Sequence, residues 1–382
     1  MNKSNKKYSP RERWNAVFEG NSSDGMVSPL CDSWCFHDVE YYWPFDEPDP
    51  FPAGHNHHFL SRQMAMGGIC GWDPTFLDSI HFSPTNKTPV WTTKTYKENN
   101  NPNTFTETRI ETPYGDLSNI AENSPVSRRN VKEWVSTKED YQKLIWYLDH
   151  ALEIDIDGAI AEGKMLRAAV GEKGLLGTWV PPAYNRFSNT QEMFFHCADW
   201  PDEYEAFLDA SLRYTLKLLD VYAKAEFDYI FFMIPGTEWG SPDFFEQYVR
   251  ESSKKIADAW RSYGKKIMIH SCGHMKLFIE RGYINELKPD IFETLSEPPV
   301  GNLPGLKWAR DKLDAEIVTK GNIGLDIMLE GSEDDVREAV NRVKEQTRGT
   351  LHVVGLSDNL LPGTPLKNCL AFTDESRRGS NV

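Results

Sequence analysis

The sequence predicts an α/β protein built on a (β/α)8 TIM barrel, with an N-terminal extension rich in aromatic residues and loops. From about residue 136 onward, short apolar runs alternate with amphipathic segments, and consecutive strand–helix units form a parallel sheet. The number of units favours closure into a barrel over an open sheet. A doubly wound open sheet is the alternative, but it would normally bind a dinucleotide at a G-x-G-x-x-G turn, which the sequence lacks.

We expect a single domain over residues 1–382, with an extension and lid loops at 1–135 and regular units at 136–370. The extension opens with a helix over 8–20, where Ser9 is the N-cap, Pro10 the first helical residue and Gly20 the residue after the end. Residues 27–125 are dense in proline, asparagine, glycine and aromatic residues. This composition predicts short strands and long ordered loops.

The regular units follow in order along the chain. The capping box that begins at Ser136 predicts a helix, as do Ser241 and Pro242. Further helices are predicted at 202–225, 274–282, 303–313 and 333–347, the last capped by Ser332. The predicted strands are 166–170, 228–234, 266–269, 290–295, 315–321 and 351–356.

Composition restricts the class of protein. A hydrophobic fraction of 40% in 382 residues can build a sizeable core. No apolar run approaches a membrane span, and no signal peptide is evident at the start, so a cytoplasmic protein is expected. The net charge of −15, with no run of basic residues longer than a pair, argues against nucleic-acid binding. Six scattered cysteines indicate reduced thiols.

The strand at 266–269 ends in His270-Ser271-Cys272-Gly273. Residues two apart on extended backbone point the same way, so His270 and Cys272 would project together. Imidazole nitrogen and thiolate sulfur are donors that zinc prefers, and a catalytic zinc keeps three protein ligands and one open position. The alternative is a buried histidine with satisfied hydrogen bonds beside a small buried cysteine. Local sequence leaves both interpretations open.

Polar residues also follow the other predicted strands, where a barrel places its active site. Glu293, on the next strand, is the predicted third metal ligand, and Glu238 is the second choice. Glu238, Asn322 and Asp358 are the candidate catalytic residues. Any one of them could instead be a helix cap or a solvated loop residue.

Aromatic residues supply the candidate substrate pocket. Trp34 and Trp43, in a loop region that should lie near the barrel, and Trp239, after a strand, are predicted to wall it, although most such rings simply pack. The histidines at 55, 57 and 58 are more typical of a polar loop than of a metal site.

Several motifs, in order and spacing, resemble the uroporphyrinogen decarboxylase superfamily, and within it the zinc-dependent, corrinoid-linked methyltransferases. They are Arg11-Glu12-Arg13-Trp14, Ser241-Pro242 with Phe245, His270-Ser271-Cys272-Gly273, Gly321-Asn322-Ile323, Gly331-Ser332, and Thr364-Pro365 with Asn368. The resemblance covers about two-thirds of the chain and is strongest from residue 200 onward. It implies a (β/α)8 barrel with zinc on His270 and Cys272.

Two departures from the superfamily bear on the expected function. The Arg-Gln-Ala-Gly-Arg segment of the true decarboxylases is missing, which makes porphyrinogen decarboxylation improbable. Gly355 is followed by Leu356, where the methyltransferases often have a second cysteine, so the resemblance assigns no third ligand at this position. The related cobalamin-independent methionine synthases use a glutamate about one strand later, near Glu293.

The resemblance therefore implies a zinc-dependent methyltransferase that moves a methyl group between a small methylated substrate, or a thiol or folate acceptor, and a corrinoid. An O-demethylase component is one form of this activity. The alternatives are a decarboxylase or lyase of the superfamily, or a non-catalytic barrel that binds a corrinoid or metal. No histidine lies in an Asp-x-His-x-x-Gly loop, so a separate protein or free cofactor is expected to bring the corrinoid.

Overall fold

The structure is a computed structural model of the chain. It describes residues 8–30, 42–82, 89–98, 100–124, 128–152, 155–180, 189–234 and 241–380. Within these ranges, strands and helices alternate as the sequence predicts, and the fold is an α/β barrel of the (β/α)8 type.

Seven strands form one curved parallel sheet. In chain order they are β1 (Thr75–Leu77), β6 (Leu175–Val180), β7 (Tyr229–Met233), β8 (Lys266–His270), β9 (Ile291–Thr294), β10 (Val318–Ile323) and β11 (His352–Leu356). Each strand pairs in parallel with the next one in this order. The sheet therefore curls in a single direction around a central axis.

An eighth segment, residues 26–28, closes the ring between β11 and β1. Val27 forms a parallel bridge with Val354 of β11, and the Ser28 amide donates to the Val354 carbonyl oxygen at 2.9 Å. On the other side, the Asp73 amide, just before β1, donates to the Val27 carbonyl oxygen at 2.7 Å. Two of the eight ring positions thus come from residues that the sequence analysis assigned to the N-terminal extension.

Helices surround this ring. They are α1 (Pro10–Phe18), α2 (His58–Cys70), α3 (Asp140–His150), α4 (Ile156–Val170), α5 (Thr190–Asp199), α6 (Pro201–Lys224), α7 (Pro242–Phe244), α8 (Arg250–Ser262), α9 (Lys276–Glu280), α10 (Tyr283–Leu287), α11 (Leu306–Arg310), α12 (Leu325–Glu330), α13 (Glu333–Gln346) and α14 (Leu366–Arg377). Across the described ranges, no helix combines the length and the apolar character needed to cross a membrane.

Apolar side chains form two cores. The larger core lies between the sheet and the helices, and a smaller one fills the barrel interior with inward residues such as Tyr229, Phe231 and Met268. Trp14 of α1 belongs to the interior core and is fully buried, with its indole N–H donating to the Asp73 carbonyl oxygen at 2.9 Å. Helix α1 therefore packs where the strands begin, and its Ser9–Glu12 capping box confirms the predicted start.

Four antiparallel strands separate β1 from α3, namely β2 (Trp91–Lys97), β3 (Thr104–Ile110), β4 (Leu117–Asn123) and β5 (Arg128–Lys132). They pair in chain order, and Ile110 at the end of β3 and Leu117 at the start of β4 are fully buried. The sequence predicted short strands here but not their assembly into one sheet. Strand β2 is largely exposed, which left little hydrophobic alternation to recognise.

One predicted strand is wrong. Residues 166–170 form the last turns of α4, and the strand of this unit is β6, which begins at Leu175. The buried residues of α4 include Ala159, Gly163, Leu166 and Val170, a spacing of three or four that marks one helical face. A short apolar run cannot by itself distinguish a strand from a buried turn of helix.

Candidate metal centre

Strand register brings three polar side chains together inside the barrel near its carboxyl end. His270 of β8 is paired with Glu293 of β9, and Glu293 is paired with Lys320 of β10. The Nδ1 atom of His270 lies 2.7 Å from Oε1 of Glu293. Lys320 donates its ammonium group to Oε2 of the same carboxylate. All three residues are almost fully buried. Because both His270 and Lys320 contact the Glu293 carboxylate, the three side chains form one continuous hydrogen-bonded group.

His270 also belongs to a cluster of potential metal ligands at the strand ends. Its ligand atom and those of Cys272 and Asp358 all lie within 4.8 Å of one another. The Nε2 atom of His270, on the side of the ring away from Glu293, is 3.9 Å from Oδ1 of Asp358. Asp358 follows β11, so this cluster joins two barrel strands that are far apart in the sequence.

The buried charges control protonation in this cluster. Burial lowers the pKa of His270, but hydrogen bonds to Cys272 and Glu293 outweigh that effect and raise it to about 10. Burial alone would raise the pKa of Glu293, whereas the Lys320 ammonium and His270 bring it below its usual range. Glu293 is therefore held as a carboxylate, and each of its oxygens has a cationic or hydrogen-bonding partner.

An aromatic surface supports the imidazole on the interior side. The ring of Phe231, on β7, stacks against His270 with centroids 5.0 Å apart and planes 29° apart. Trp179 of β6 contacts Phe231 edge to face at 4.3 Å. These rings and the Glu293 hydrogen bond hold His270 in one orientation, with Nε2 directed towards Asp358.

The remaining predicted site residues have different positions. Asn322, on β10, donates its amide to the Leu295 carbonyl oxygen at 3.1 Å and to Glu297 at 2.9 Å, so it joins two strand ends. Trp43 donates its indole N–H to the Glu47 carbonyl oxygen at 2.6 Å. Glu47 pairs with Lys173, just before β6, which places Trp43 near strand beginnings and away from His270. Trp34, Glu238 and Trp239 lie outside the described residues.

The structure adds two roles that the sequence analysis missed. Lys320 was not singled out, although a lysine in the middle of a predicted barrel strand is a signal. A buried ammonium group needs an acidic partner. Asp358 was predicted as a catalytic residue and not as a ligand. Glu293, the predicted third ligand, instead contacts the Nδ1 side of His270, opposite the nitrogen that faces Asp358.

The cluster has the chemical features of a zinc site. It offers an imidazole nitrogen, a thiolate sulfur and a carboxylate oxygen, the three ligand types that zinc takes from proteins. A carboxylate on the second nitrogen of a ligating histidine is the usual way in which the ring is oriented and its basicity raised. His270, Cys272 and Asp358 could therefore hold the ion, with Glu293 behind His270.

The fold and this cluster define a barrel protein with a candidate metal centre at the carboxyl ends of its strands. A family model described as uroporphyrinogen decarboxylase (URO-D) matches residues 183–379, a little more than half of the chain. The protein belongs to the uroporphyrinogen decarboxylase family. The match covers β7 to β11 and therefore includes the whole candidate centre.

Solved structures include similar barrels. A methyltransferase from Methanosarcina mazei is 14% identical, with a TM-score of 0.62, over 97% of this chain and 98% of that one. A B12-independent methionine synthase from Shewanella sp. W3-18-1 is 13% identical, with a TM-score of 0.47, over 93% of this chain and 97% of the other. No curated protein matches the sequence significantly. At this identity, the likeness to the first structure establishes a shared fold.

Proposed function

We propose that this protein is a zinc-dependent methyltransferase that moves a methyl group between a corrinoid and a small methylated substrate, or a thiol or folate acceptor. The observation that carries the proposal is the cluster of His270, Cys272 and Asp358 at the strand ends, with Glu293 hydrogen-bonded behind the histidine. Membership of the family and the fold shared with a Methanosarcina mazei methyltransferase support it.

The donor set suits a divalent ion that activates a substrate. On binding a zinc ion, His270 would lose the proton from Nε2. With Cys272 and Asp358 ionised, the ligands would then carry two negative charges, which balance the charge of Zn²⁺. A zinc ion held there would supply Lewis-acid chemistry, lowering the pKa of a coordinated thiol or polarising an ether oxygen. Three protein ligands leave a fourth position for the substrate.

The protein's own groups would keep this centre in one geometry. Glu293 accepts from Nδ1 of His270 and thereby leaves Nε2 for the metal. Lys320 neutralises the charge of the Glu293 carboxylate, so this carboxylate would stay hydrogen-bonded to His270 when an ion binds. Phe231 stacks on the interior side of the imidazole. Substrate would then approach from the side of Asp358, whose side chain is 29% exposed.

The methyl transfer itself would be a displacement at carbon. With a thiol as the acceptor, the thiol would first lose its proton to solvent. Its sulfur would then bond to the methyl carbon, and the electron pair of the broken cobalt–carbon bond would stay on cobalt. In the described part of the chain, side chains fill the interior of the ring of strands. The corrinoid would therefore have to reach the strand ends from outside the barrel. A separate corrinoid protein or free cofactor is the partner that this geometry favours.

The test is methyl transfer by the purified, zinc-loaded protein. Methylcob(III)alamin is mixed with small thiols or with tetrahydrofolate, and the corrin spectrum and methylated product are followed. We expect transfer with the native protein, no detectable transfer with Cys272→Ala, and retained transfer with Cys197→Ala, a half-buried cysteine on α5. A protein that binds zinc but transfers no methyl group, in either direction and with any acceptor, would contradict the proposal and favour a lyase or a binding barrel.

A further inference from the structure

A second group of metal-ligating side chains lies outside the barrel, beside the start of α2. His57 is the residue before α2, His81 follows β1 by four residues, and Glu162 lies on α4. Their ligand atoms all lie within 4.8 Å of one another. Strands β6 and β7 separate β1 from β8 in the ring, so this group is distinct from the centre around His270.

The geometry resembles that of a histidine-rich metal site. Oε1 of Glu162 lies 2.7 Å from Nε2 of His57 and 2.8 Å from Nδ1 of His81. Ligands at metal–donor distances of about 2.0–2.1 Å in a tetrahedron lie roughly 3.3 Å apart. Oε1 of Glu162 would therefore need to move only about half an ångström farther from each nitrogen for the three atoms to share one ion. The two nitrogens themselves lie within 4.8 Å of each other.

Supporting contacts already orient two of these ligands. Nδ1 of His57 lies 3.0 Å from Oδ2 of Asp78, so a carboxylate holds the nitrogen that faces away from the cluster. Glu162 accepts the backbone N–H of His81 on its second oxygen at 2.7 Å, which fixes the carboxylate. The same carboxylate–histidine arrangement occurs at His270, and it is the usual support for a metal-ligating histidine.

Charge and accessibility also suit a cation. In the part of the chain that the structure describes, the ion pairs of Asp78 and Glu162 are with histidine only. With both imidazoles neutral, the group carries two negative charges, the charge that a divalent ion neutralises. His57 is 2% exposed, whereas the side chain of His81 is 56% exposed, so an ion could enter from the His81 side.

From these contacts we propose a second divalent-metal site, with zinc as the expected ion, formed by His57 Nε2, His81 Nδ1 and Glu162, and with Asp78 orienting His57. The ion links the loop before α2, the segment after β1 and helix α4. Its role is to stabilise this junction, apart from the centre around His270.

The test isolates this site by removing the first one. The Cys272→Ala protein is loaded with zinc, desalted, and analysed for bound metal. We expect one retained equivalent per chain, and none once His81→Gln is added. His150→Gln, a partly buried histidine on α3, serves as the matched control and should leave that equivalent in place. A folded Cys272→Ala protein that retains no zinc, or a His81→Gln double variant that still retains it, overturns the proposal.

Cobalt and heat give two further readouts. In the Cys272→Ala protein, Co²⁺ at this site should show ligand-field bands without the charge-transfer band of a thiolate ligand. Zinc should raise the melting temperature of this protein because it binds only the folded state. The double variant with His81→Gln should melt at one temperature with and without zinc. An equal rise in both proteins would also overturn the proposal.

Discussion

Glu293 has both carboxylate oxygens engaged within the barrel, and this restricts the role that it can take. One oxygen accepts from His270 and the other from Lys320, and the side chain is 1% exposed. To bind a metal directly it would have to give up one of these buried partners, at the cost of an unpaired charge. Asp358, on the free side of His270, can bind without such a loss.

Substitution of Glu293 and Asp358 should show which carboxylate binds the metal and which one only orients His270. We expect Glu293→Gln to weaken zinc binding by about 10–100-fold, as for other groups that orient a ligating histidine. Asp358→Asn should weaken it more, because a donor is lost. Competition against a chelator measures both affinities for the site that contains Cys272. The opposite result would show that Glu293 is the third ligand. In that case Asp358→Asn would bind zinc fully, and the site in Glu293→Gln would bind none.

Lys320 should matter for folding as well as for the site. Its removal in Lys320→Met leaves the Glu293 carboxylate buried without its ammonium partner. Losing one partner of a buried pair costs about 3–5 kcal/mol. Urea unfolding would measure this loss, and Glu293→Gln added to Lys320→Met should recover part of it. The control Lys367→Met, on an exposed face of α14, should change stability by no more than about 0.5 kcal/mol.

At the level of elements, the pairing of β10 with β11 encloses His352. Its Nδ1 lies 2.9 Å from Oγ1 of Thr319, and its Nε2 lies 2.9 Å from the Gly321 carbonyl oxygen, to which it donates. Burial lowers the pKa of His352 to about 3, even though the Gly321 carbonyl favours the charged form. His352 is therefore a neutral structural residue within the sheet.

This buried histidine should make the fold sensitive to acid. In an unfolded chain, a histidine side chain has a pKa of about 6.5. As the pH falls below that value, the unfolded chain takes up the proton first, so stability is lost progressively towards about pH 3. Between roughly pH 7 and pH 4.5, the protonation of His352 in the unfolded chain should lower the free energy of unfolding by about 2–3 kcal/mol. His352→Gln should lose correspondingly less stability over this interval in urea unfolding, and an equal loss in both proteins would contradict the assignment.

The element predictions from sequence succeeded where the signal was local. Ser332 caps α13 as predicted, and Ser241 caps the helix that begins at Pro242. The capping box predicted at Ser136 is wrong, because α3 begins at Asp140 and has no side-chain cap. The end of α4 was mistaken for a strand because Leu166 and Val170 stand in a short apolar run. Capping depends on residues three apart, whereas the distinction between a buried helical turn and a strand depends on what packs against it.

On the scale of the whole molecule, Asp73 lies where the ring of strands closes. Its side chain is fully buried, and Oδ2 accepts the Val27 amide at 3.1 Å while Oδ1 accepts Nε of Arg13 at 2.5 Å. Its backbone accepts from Trp14 of α1 and donates to Val27. One residue thus joins α1, the closing segment and the approach to β1.

Asp73→Ala should therefore destabilise the whole barrel. It leaves the Arg13 guanidinium, which is 11% exposed, without its carboxylate and the Val27 amide without its side-chain acceptor. We expect a loss of about 3–5 kcal/mol in the free energy of unfolding, measured with urea. Asp116→Ala, at an exposed position, should cost no more than about 0.5 kcal/mol. A small effect at Asp73 would show that the ring closes without this junction.

The sequence by itself determined the alternation of strands and helices and the projection of His270 and Cys272 from one strand end. It also determined the helix caps at Ser9, Ser241 and Ser332. Each depends on residues within a few positions of one another, where backbone periodicity sets the geometry. Only the tertiary structure placed Asp358 beside them, joined Glu293 to Lys320, and inserted Val27 as the closing segment. These contacts join residues far apart along the chain, and strand register and ring closure, which no local pattern records, bring them together.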